Sequence, residues 1–231
     1  MRLEDRHIVY EDNHLIAVFK PSGVLVQSDR TGDPALNDSV KAYIKKKYKK
    51  PGDVYLGTIH RLDRPVSGLV IFAKTSKALS RMNALFRDKE IRKTYFALCD
   101  RKPKKLAQTL VHWLTKDNYK NIARAHDKEV KQSKKAELEY QYISTANHKH
   151  LLRVQPKTGR PHQIRVQLAK MGCPIHGDLK YGSERGRDTF IYLHAYSLEF
   201  IHPVKKEKLT LHCPFPDDVN WNFFVDSIGN Q

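Results

Sequence analysis

Thr58-Ile-His-Arg-Leu-Asp-Arg-Pro-Val-Ser-Gly-Leu-Val-Ile-Phe-Ala-Lys74 is the segment from which the fold of this 231-residue chain is most directly predicted. Its first half is polar and turn-rich, and residues 69–74 are apolar and β-branched up to the last residue. This order predicts a loop, a turn and then a buried strand. Asp63 lies in the loop between Arg61 and Arg64, and neighbouring cations favour the charged form of a carboxylate. We therefore expect Asp63 to be ionised and usable as a nucleophile.

Asp63 also has an ordinary interpretation. An aspartate next to an arginine most often forms a surface ion pair, and such pairs contribute little to stability. The few residues around Asp63 favour that interpretation over a catalytic one when they are taken alone. A catalytic role therefore depends on what the remainder of the chain contains.

The strongest signal in the composition is charge. The chain has 42 Lys and Arg residues against 25 Asp and Glu residues, which gives a formal net charge of +17. Such an excess attracts polyanions, and nucleic acid is the expected partner. A soluble basic protein and a membrane-surface binder are the alternatives on charge alone. Hydrophobic residues make up 40% of the chain, which predicts a globular protein with a sizeable core.

Several classes of protein have no support in the sequence. Cys99, Cys173 and Cys213 are far apart, so we expect a reducing compartment and no disulfide framework. The first residues lack an apolar signal region and no apolar run is as long as a membrane span, so a cytoplasmic protein without membrane contact is expected. Glycine-rich nucleotide-binding motifs, metal-binding histidine patterns and a serine-hydrolase motif around Ser67-Gly68 are also missing. We therefore predict no nucleotide cofactor and no metal.

Local patterns predict short strands and helices along the whole chain. The polar stretches at residues 28–38 and 173–182 are expected to be loops, and residues 100–135 a basic hairpin or loop excursion. Strands are predicted within residues 7–27, where there are two or three, and at 69–74, 93–99, 137–143, 151–154, 192–200 and 209–212. Helices are predicted from a cap at Asp38 or Ser39 to Tyr48, from a cap at Thr75 or Ser76 through Phe86, and over about three turns between Pro161 and Gly172.

These elements predict an α+β fold with a mostly antiparallel mixed sheet and flanking helices. No repeat or low-complexity linker divides the chain, so residues 1–225 are expected to form a single domain, with two lobes around a central basic cleft. Residues 226–231 are expected to be a short polar tail. In the strand at 93–99, Tyr95 and Phe96 face opposite ways, so one of them should be in the core and the other can face the cleft.

The segments with the densest functional residues resemble one known family, the RluA-type pseudouridine synthases, which act on uridines in ribosomal or transfer RNA. Each segment alone is a weak signal, but together they occur in the order and at the spacing of that family. The resemblance implies the pseudouridine synthase catalytic fold for residues 1–225. The matching segments are Lys20-Pro21-Ser22-Gly23, His60-Arg61-Leu62-Asp63-Arg64-Pro65 with Ser67-Gly68, Lys93-Thr94-Tyr95-Phe96-Ala97, Lys157-Thr158-Gly159-Arg160-Pro161-His162-Gln163-Ile164-Arg165, Gly177-Asp178 with Tyr181-Gly182, and Leu193-His194-Ala195.

The resemblance implies a role for each catalytic residue. Asp63 would be the catalytic carboxylate, Tyr95 would stack on the target uracil, and Arg165 would pair with Asp63. Arg61 would enter the gap left by the extruded base, because unstacking a uridine costs a few kcal/mol that an inserted side chain helps to offset. The predicted RNA-binding residues are Arg61, Arg64, His60, Arg160, His162, Gln163 and Lys157.

The implied reaction breaks the N1 to C1′ bond of uridine, turns the uracil and rejoins it through C5, without a cofactor. Asp63 could bond to C1′, add to the ring, or assist loss of the C2′ proton, and the sequence does not choose among these. Many relatives carry an N-terminal S4 RNA-binding domain, whereas here the pattern begins by residue 7. We therefore expect RNA to dock on the basic surface of the catalytic domain itself, at Lys45–Lys50 and Arg101–Lys135. A monomer is the default expectation for the oligomeric state.

Two other functions are compatible with part of this pattern. A catalytically idle RNA-binding module on the same fold would account for the charge, but it would not need Asp63, Tyr95 and Arg165 together. A basic glycosidase that acts on small nucleosides would turn over free uridine. The RNA uridine isomerase is the function that uses all of these residues.

Overall fold

The computed structural model describes residues 3–29, 32–184 and 190–225, so the predicted polar tail at 226–231 lies outside the described residues. The chain divides into two compact units. The first runs to Arg92 and includes Ala195–Pro214, and the second contains Lys93–His194 and the residues from Phe215 onwards. The predicted single domain and its central cleft stay predictions.

The first unit is a sheet with two helices. Its strands lie in the order β1, β2, β4 and β10, with β3 paired to β4 and β11 paired to β10. The β1–β2, β2–β4, β3–β4 and β10–β11 pairs are all antiparallel. The elements are β1 (Ile8–Glu11), β2 (Leu15–Lys20), α1 (Leu36–Lys47), β3 (Gly57–Thr58), β4 (Ser67–Ala73), α2 (Ser76–Arg87), most of β10 (Leu193–Ile201), and β11 (Lys208–His212).

Strand β4 is the centre of this unit, as the opening segment predicts. Every residue from Ser67 to Ala73 is buried. Leu69, Ile71 and Ala73 pack in one hydrophobic cluster with Leu15 of β2 and Met82 of α2. A strand that is buried on both faces has a continuous apolar sequence, which is why this strand could be predicted from its residues alone.

Helix α1 begins earlier than predicted, and its predicted cap at Asp38 or Ser39 is wrong. The N-cap is Ala35, whose side chain cannot accept a hydrogen bond. The amide of Leu36 donates to the carbonyl of Leu25 at 2.8 Å instead, and the amide next to it donates to Val26 at 3.0 Å. The preceding loop therefore satisfies the first helical amides, a task that capping side chains usually perform.

Helix α2 agrees with the sequence. Thr75 is its N-cap, and the hydroxyl oxygen of Thr75 accepts a hydrogen bond from the amide of Ala78 at 3.2 Å. Met82 is fully buried, and Leu79, Leu85 and Phe86 pack around the same cluster. The cap and the apolar stripe were both predicted.

The second unit is a five-stranded antiparallel sheet in the order β5, β9, β8, β6 and β7. The predicted basic excursion at 100–135 is confirmed as a hairpin, formed by β6 and β7, and the predicted pairing of the strands at 137–143 and 151–154 is confirmed. The elements are β5 (Arg92–Cys99), β6 (Ala107–Asp117), β7 (Ile122–His126), β8 (Lys134–Ala146), β9 (Lys149–Pro156), α3 (Gln163–Lys170) and α4 (Val219–Asn222).

Helix α3 is shorter than the three turns predicted. It spans Gln163–Lys170, and the residue before it, His162, has a left-handed backbone with φ of 53°. The amide of Gln163 closes a turn on the carbonyl of Arg160 at 3.1 Å. Pro161 therefore belongs to a tight turn that precedes the helix, and it is not the first helical residue.

These elements confirm the predicted α+β class with mostly antiparallel strands and flanking helices. Cys99, Cys173 and Cys213 are buried and are not joined in disulfides. Among the helices of the described part of the chain, none has the length and apolar character needed to cross a membrane.

Candidate active site

Asp63 lies in the loop that leads into β4. Its backbone carbonyl accepts a hydrogen bond from the amide of Val66 at 3.0 Å, which closes a turn immediately before the buried strand. The residue is half-buried, between the exposed Arg61 and Arg64 and the buried Pro65. A rigid strand therefore supports a carboxylate that is only partly covered.

Lys20 is a cation near Asp63 that the sequence analysis missed. Its side chain is fully buried, and Nζ donates hydrogen bonds to the carbonyls of Pro21 at 3.0 Å, Val24 at 2.8 Å and Arg64 at 3.1 Å. Burial lowers the pKa of Lys20 to about 7, and attraction to the Asp63 carboxylate opposes that shift. Lys20 therefore ties the end of β2 to the loop of the candidate nucleophile.

The guanidinium of Arg64 contacts other loops of the first unit, and its binding to RNA stays a prediction. Nη1 forms an ion pair with Asp33 at 2.9 Å, and Nε donates to the carbonyl of Gly23 at 3.0 Å. The amide of Gly23 in turn donates to the carbonyl of Arg64 at 2.8 Å. Arg64 thus joins two loops. Lys20 places a positive charge near Asp63, as was expected of the flanking arginines.

His60, a predicted RNA-binding residue, makes contacts inside the first unit. Its ring stacks on Phe86, with the ring centroids 5.1 Å apart and the planes 23° from parallel. Nε2 accepts a hydrogen bond from the amide of Ile71 at 3.2 Å. His60 therefore attaches the loop before Asp63 to both β4 and α2, and its binding to RNA stays a prediction.

Arg165 of α3 forms a buried ion pair with Asp178 in the second unit. Nε and Nη2 of Arg165 donate to Oδ2 and Oδ1 of Asp178 at 2.7 and 2.8 Å. Arg165 is 5% exposed and Asp178 is 1% exposed. A bidentate pair of this kind fixes the orientation of the guanidinium as well as its position.

Tyr181 lies against the same guanidinium. The Cζ atom of Arg165 is 5.1 Å from the centre of the Tyr181 ring. The Tyr181 hydroxyl accepts a hydrogen bond from the amide of Ala123 at 2.8 Å and lies 2.7 Å from Nδ1 of His162. His162 and Arg165, which the sequence places three residues apart, therefore meet at one tyrosine.

The loop that carries Asp178 is itself braced by Asp100. Nδ1 of His176 lies 2.6 Å from Oδ1 of Asp100, and the hydroxyl of Ser183 donates to Oδ2 of Asp100 at 2.7 Å. The amide of Gly177 donates to the same serine hydroxyl at 3.1 Å. One carboxylate thus holds both ends of the loop on which Asp178 sits.

Gln163 uses both ends of its side-chain amide inside the protein. Its Oε1 atom accepts from the Thr158 hydroxyl at 2.8 Å and from the Arg160 amide at 2.9 Å. Its Nε2 atom donates to the carbonyl of Glu137 at 3.0 Å. The residue is 5% exposed, so it holds the 157–163 loop against β8, and its predicted contact with RNA remains a prediction.

The other two predicted RNA-binding residues of this loop are more accessible. Lys157 is exposed and pairs with Glu139 at 3.0 Å. Arg160 is half-buried, and its Nε atom donates to the carbonyl of Lys135 at 3.0 Å. An exposed ion pair such as that of Lys157 contributes little to stability, and the binding of Lys157 and Arg160 to RNA stays a prediction.

Tyr95 and Phe96 separate as the strand period predicts. Phe96 is 3% exposed, and its ring centroid lies 5.6 Å from that of Phe215, so Phe96 is the core residue of the two. Tyr95 is half-buried on the opposite face of β5. The prediction that one residue of this pair belongs to the core is therefore confirmed.

Tyr95 lies on the sheet face that α3 covers. Tyr95 pairs with Val154, and Val154 pairs with Tyr140, so the three side chains share one face. Ala136 lies on that face of β8 too, and it packs with Val166 of α3. The structure therefore brings Tyr95 and the helix of Arg165 to one side of the second unit.

The three predicted catalytic residues are divided between the units. Asp63 belongs to the first unit, and Tyr95 and Arg165 belong to the second, so their convergence at one uridine stays a prediction. No role was predicted for the residues that contact the loop of Asp63 or the guanidinium of Arg165, namely Lys20, Asp178 and Tyr181. The motifs Lys20-Pro21-Ser22-Gly23 and Gly177-Asp178 with Tyr181-Gly182 were the signals that pointed to them.

Comparison with known proteins gives consistent results. A family model described as RNA pseudouridylate synthase matches residues 14–170. Ribosomal large subunit pseudouridine synthase C of Vibrio cholerae serotype O1 is 32% identical over 225 residues, with 90% of this chain and 65% of that protein covered. The protein of the same name from Buchnera aphidicola subsp. Acyrthosiphon pisum is 32% identical over 240 residues, with 96% and 70% covered. The chain thus spans about two thirds of the length of these relatives.

Solved structures show the same fold. Human RNA Pseudouridylate Synthase Domain Containing 4 superposes with a TM-score of 0.76 at 23% identity, covering 97% of this chain and 92% of that one. Human RNA Pseudouridylate Synthase Domain Containing 1 superposes with a TM-score of 0.71 at 23% identity, covering 94% and 87%. The fold implied by the resemblance in sequence is therefore confirmed.

Proposed function

Because this chain belongs to the RNA pseudouridylate synthase family, a family of isomerases, we propose that it converts uridine to pseudouridine in ribosomal RNA, with Asp63 as its nucleophile. The observation that carries the proposal is the extent of the family match. Residues 14–170 include Asp63, Tyr95 and Arg165, so all three predicted catalytic residues lie within the matched region. The names of the curated relatives support ribosomal RNA as the substrate.

In the proposed reaction, the target uridine leaves its stack and its sugar approaches the Asp63 carboxylate. The bond from N1 to C1′ breaks, the uracil turns, and a bond from C5 to C1′ forms. C5 loses its proton to solvent and N1 takes up one proton, so the product is an isomer of the substrate and no cofactor is consumed. The nearest general chemistry is glycosidic cleavage, in which a carboxylate attacks or stabilises an electron-poor sugar carbon.

The surrounding residues support this proposal through their contacts. Lys20 holds the carbonyl of Arg64, next to Asp63, so the nucleophile is attached to a fixed backbone. Asp178 engages Nε and Nη2 on Arg165 and so orients the guanidinium that we propose pairs with Asp63. Tyr95 is half-buried on the α3 side of its sheet and would stack on the uracil.

RNA docking is proposed to rest on the basic surface. Lys45 and Lys46 are exposed at the end of α1, and Lys116, Lys120 and Arg124 are exposed on the β6–β7 hairpin. Arg61 is exposed two residues before Asp63, which suits a side chain that replaces an extruded base. We propose a cytoplasmic monomer that uses these residues to bind ribosomal RNA.

The experiment that tests this function measures tritium release from C5-labelled uridine in bulk ribosomal RNA. The wild-type protein should release tritium, and Asp63→Asn should not, while keeping its circular dichroism spectrum and its RNA affinity. Asp53→Asn is the matched control, since Asp53 is an exposed aspartate of the same unit. The absence of release from any RNA class would leave an idle RNA-binding module, and turnover of free uridine would indicate a nucleoside glycosidase.

Mapping the product identifies the site. Pseudouridine positions in RNA from cells with and without this chain should differ at one or a few uridines of ribosomal RNA. A difference confined to transfer RNA would assign the reaction to another substrate and reject the ribosomal one.

A further inference from the structure

Lys93 lies two residues before Tyr95 on β5. Side chains alternate along a strand, so Lys93 and Tyr95 project from the same face, about 7 Å apart along the chain. That face is the one that α3 covers, and it is the face on which the uracil is proposed to stack. A charge at this distance from a stacked base is within reach of the backbone of the same nucleotide or of its neighbour.

The Lys93 ammonium is partly withdrawn from water without a carboxylate to balance it. The residue is half-buried, and burial lowers the pKa of its amine. Within the ranges that the structure describes, its side chain forms no ion pair or hydrogen bond. The half-buried Lys74 is different, because Nζ of Lys74 pairs with Glu11 at 2.7 Å and donates to the carbonyl of Asp12 at 2.7 Å.

A partly buried ammonium that has no nearby anion lowers the stability of the protein when no RNA is bound. Removing a cation from water costs free energy unless an anion or other acceptors replace the lost hydration. A substrate with one negative charge per nucleotide supplies such an anion. In the complex, the ammonium gains the interaction with an anion that it lacks in the free protein.

We propose that Lys93 binds a phosphate oxygen of the RNA backbone next to the uridine that stacks on Tyr95. This inference rests on the proposed function and extends it, because it assigns a phosphate site beside the base site on a single strand. A lysine is suited to this task as a compact point charge with three donors. The site would fix the position of the target nucleotide while its base is extruded.

The alternative is that Lys93 only packs its aliphatic stem against the sheet. The two roles differ in what Lys93→Met does to RNA binding, which only the phosphate role predicts to weaken. Methionine keeps the stem and removes the charge, so the phosphate role predicts an unchanged or raised melting temperature. If Lys93 made an essential structural interaction, Lys93→Met would lower the melting temperature. Lys77→Met is the control, because Lys77 is exposed on α2.

The decisive experiment measures RNA binding in an Asp63→Asn background, so that no turnover is needed. The probe is a short single-stranded oligonucleotide with one uridine, prepared in three forms. In one form every linkage is charged, and in the others a neutral methylphosphonate replaces the linkage on the 5′ or the 3′ side of the uridine. Tritium release by the otherwise wild-type protein tests the proposed function separately.

Lys93→Met should weaken binding of the charged oligonucleotide several-fold and reduce its salt slope by about one, and Lys93→Arg should restore most of the affinity. Lys77→Met should neither weaken binding of the charged oligonucleotide nor reduce its salt slope. The loss caused by Lys93→Met should disappear with one of the two methylphosphonate forms. An equal loss with all three oligonucleotides, or no loss with any, would overturn the proposal even if the protein isomerises uridine.

Discussion

Asp178 binds both Nε and Nη2 of Arg165, at 2.7 and 2.8 Å, and both side chains are almost completely buried. The ring of Tyr181 lies 5.1 Å from Cζ of the same guanidinium. The arginine is thus held on one edge and on one face by a single loop. Its orientation is set by the fold before any substrate is present.

Asp178→Asn should destabilise the protein and slow catalysis. It leaves the buried guanidinium without its counter-charge, and breaking such a pair typically costs about 3–5 kcal/mol in the free energy of unfolding. Urea denaturation measures this cost, and tritium release should show a larger fall in kcat than rise in KM, because the RNA surface is unchanged.

Asp127→Asn is the matched control for that variant. Asp127 pairs with Lys170 at 3.1 Å, but its side chain is 72% exposed, so the loss should be below about 1 kcal/mol. Equal effects of the two substitutions would mean that the Arg165–Asp178 pair contributes no more than a surface contact.

Lys20→Met should change how stability depends on pH. The pKa of Lys20 is lowered to about 7 in the folded protein, so between pH 7 and the ordinary lysine value near 10.5 the unfolded chain binds more protons than the folded one. Stability from this group therefore increases as pH rises through that window, by at most about 1.4 kcal/mol per pH unit. Urea denaturation of both proteins at several pH values measures the difference.

The unfolding free energy of the wild type minus that of Lys20→Met should increase from neutral to alkaline pH. Lys41→Met serves as the control, because it removes a lysine charge from α1 and leaves the carbonyl contacts of Lys20 in place. A slope common to both variants would be a general effect of charge. A difference that stays flat between pH 7 and 10 would contradict a lowered pKa for Lys20.

Gly68→Ala should be strongly destabilising. Gly68 has φ of 123°, which L residues rarely adopt, and a Cβ atom there would lie 2.5 Å from the backbone nitrogen of Ala195 and would clash with its carbonyl oxygen. Neither backbone strand can move away cheaply inside a buried sheet, so we expect a loss of about 3 kcal/mol or more. Thermal denaturation measures it.

Gly52→Ala is the control for that substitution. Gly52 has an ordinary φ, and a Cβ atom there would meet nothing within 4 Å. Its melting temperature should stay within a few degrees of the wild type. Tolerance of alanine at both positions would show that β4 and β10 can separate more easily than their contact indicates.

Binding to RNA should depend steeply on salt. A protein with a net charge of +17 releases counterions when it neutralises phosphates, so affinity should fall with ionic strength in proportion to the phosphates contacted. Replacing Lys45 and Lys46 by methionine should reduce the slope by about one to two, as filter binding at several salt concentrations would show. A flat salt dependence for the wild type would contradict electrostatic docking.

The control for the salt experiment replaces two exposed lysines elsewhere, Lys77 and Lys89, by methionine. The same total charge is removed, so a general effect of net charge would appear in both variants. A loss that appears only with Lys45 and Lys46 would assign phosphate contacts to the end of α1.

Features encoded by neighbouring residues could be predicted from the sequence. The buried strand β4 follows from a continuous apolar run, and Thr75 caps α2 through its own side chain. The starts of α1 and α3 could not be predicted in this way. The first amides of α1 are satisfied by Leu25 and Val26, and the turn at Arg160 delays α3, so both starts depend on contacts outside the helix.

The candidate site also contains features encoded by neighbouring residues and features that depend on distant contacts. Asp63, Tyr95 and Arg165 were predicted because their residue types occur in recognisable segments. Lys20 was missed because a lysine at the end of a strand is usually solvated, and one of its acceptors, Arg64, is 44 residues away. Asp178 was missed as the partner of Arg165 because a loop aspartate has no local signal for a buried pair.

The three hydrogen bonds of Lys20 have a consequence for how the protein meets its substrate. They immobilise the backbone beside Asp63 during folding, so the loss of conformational entropy in that loop precedes RNA binding and does not weaken it. Free energy gained from contacts with RNA is then available for unstacking the uridine. The proposed nucleophile is preorganised, and the substrate is the component that must rearrange.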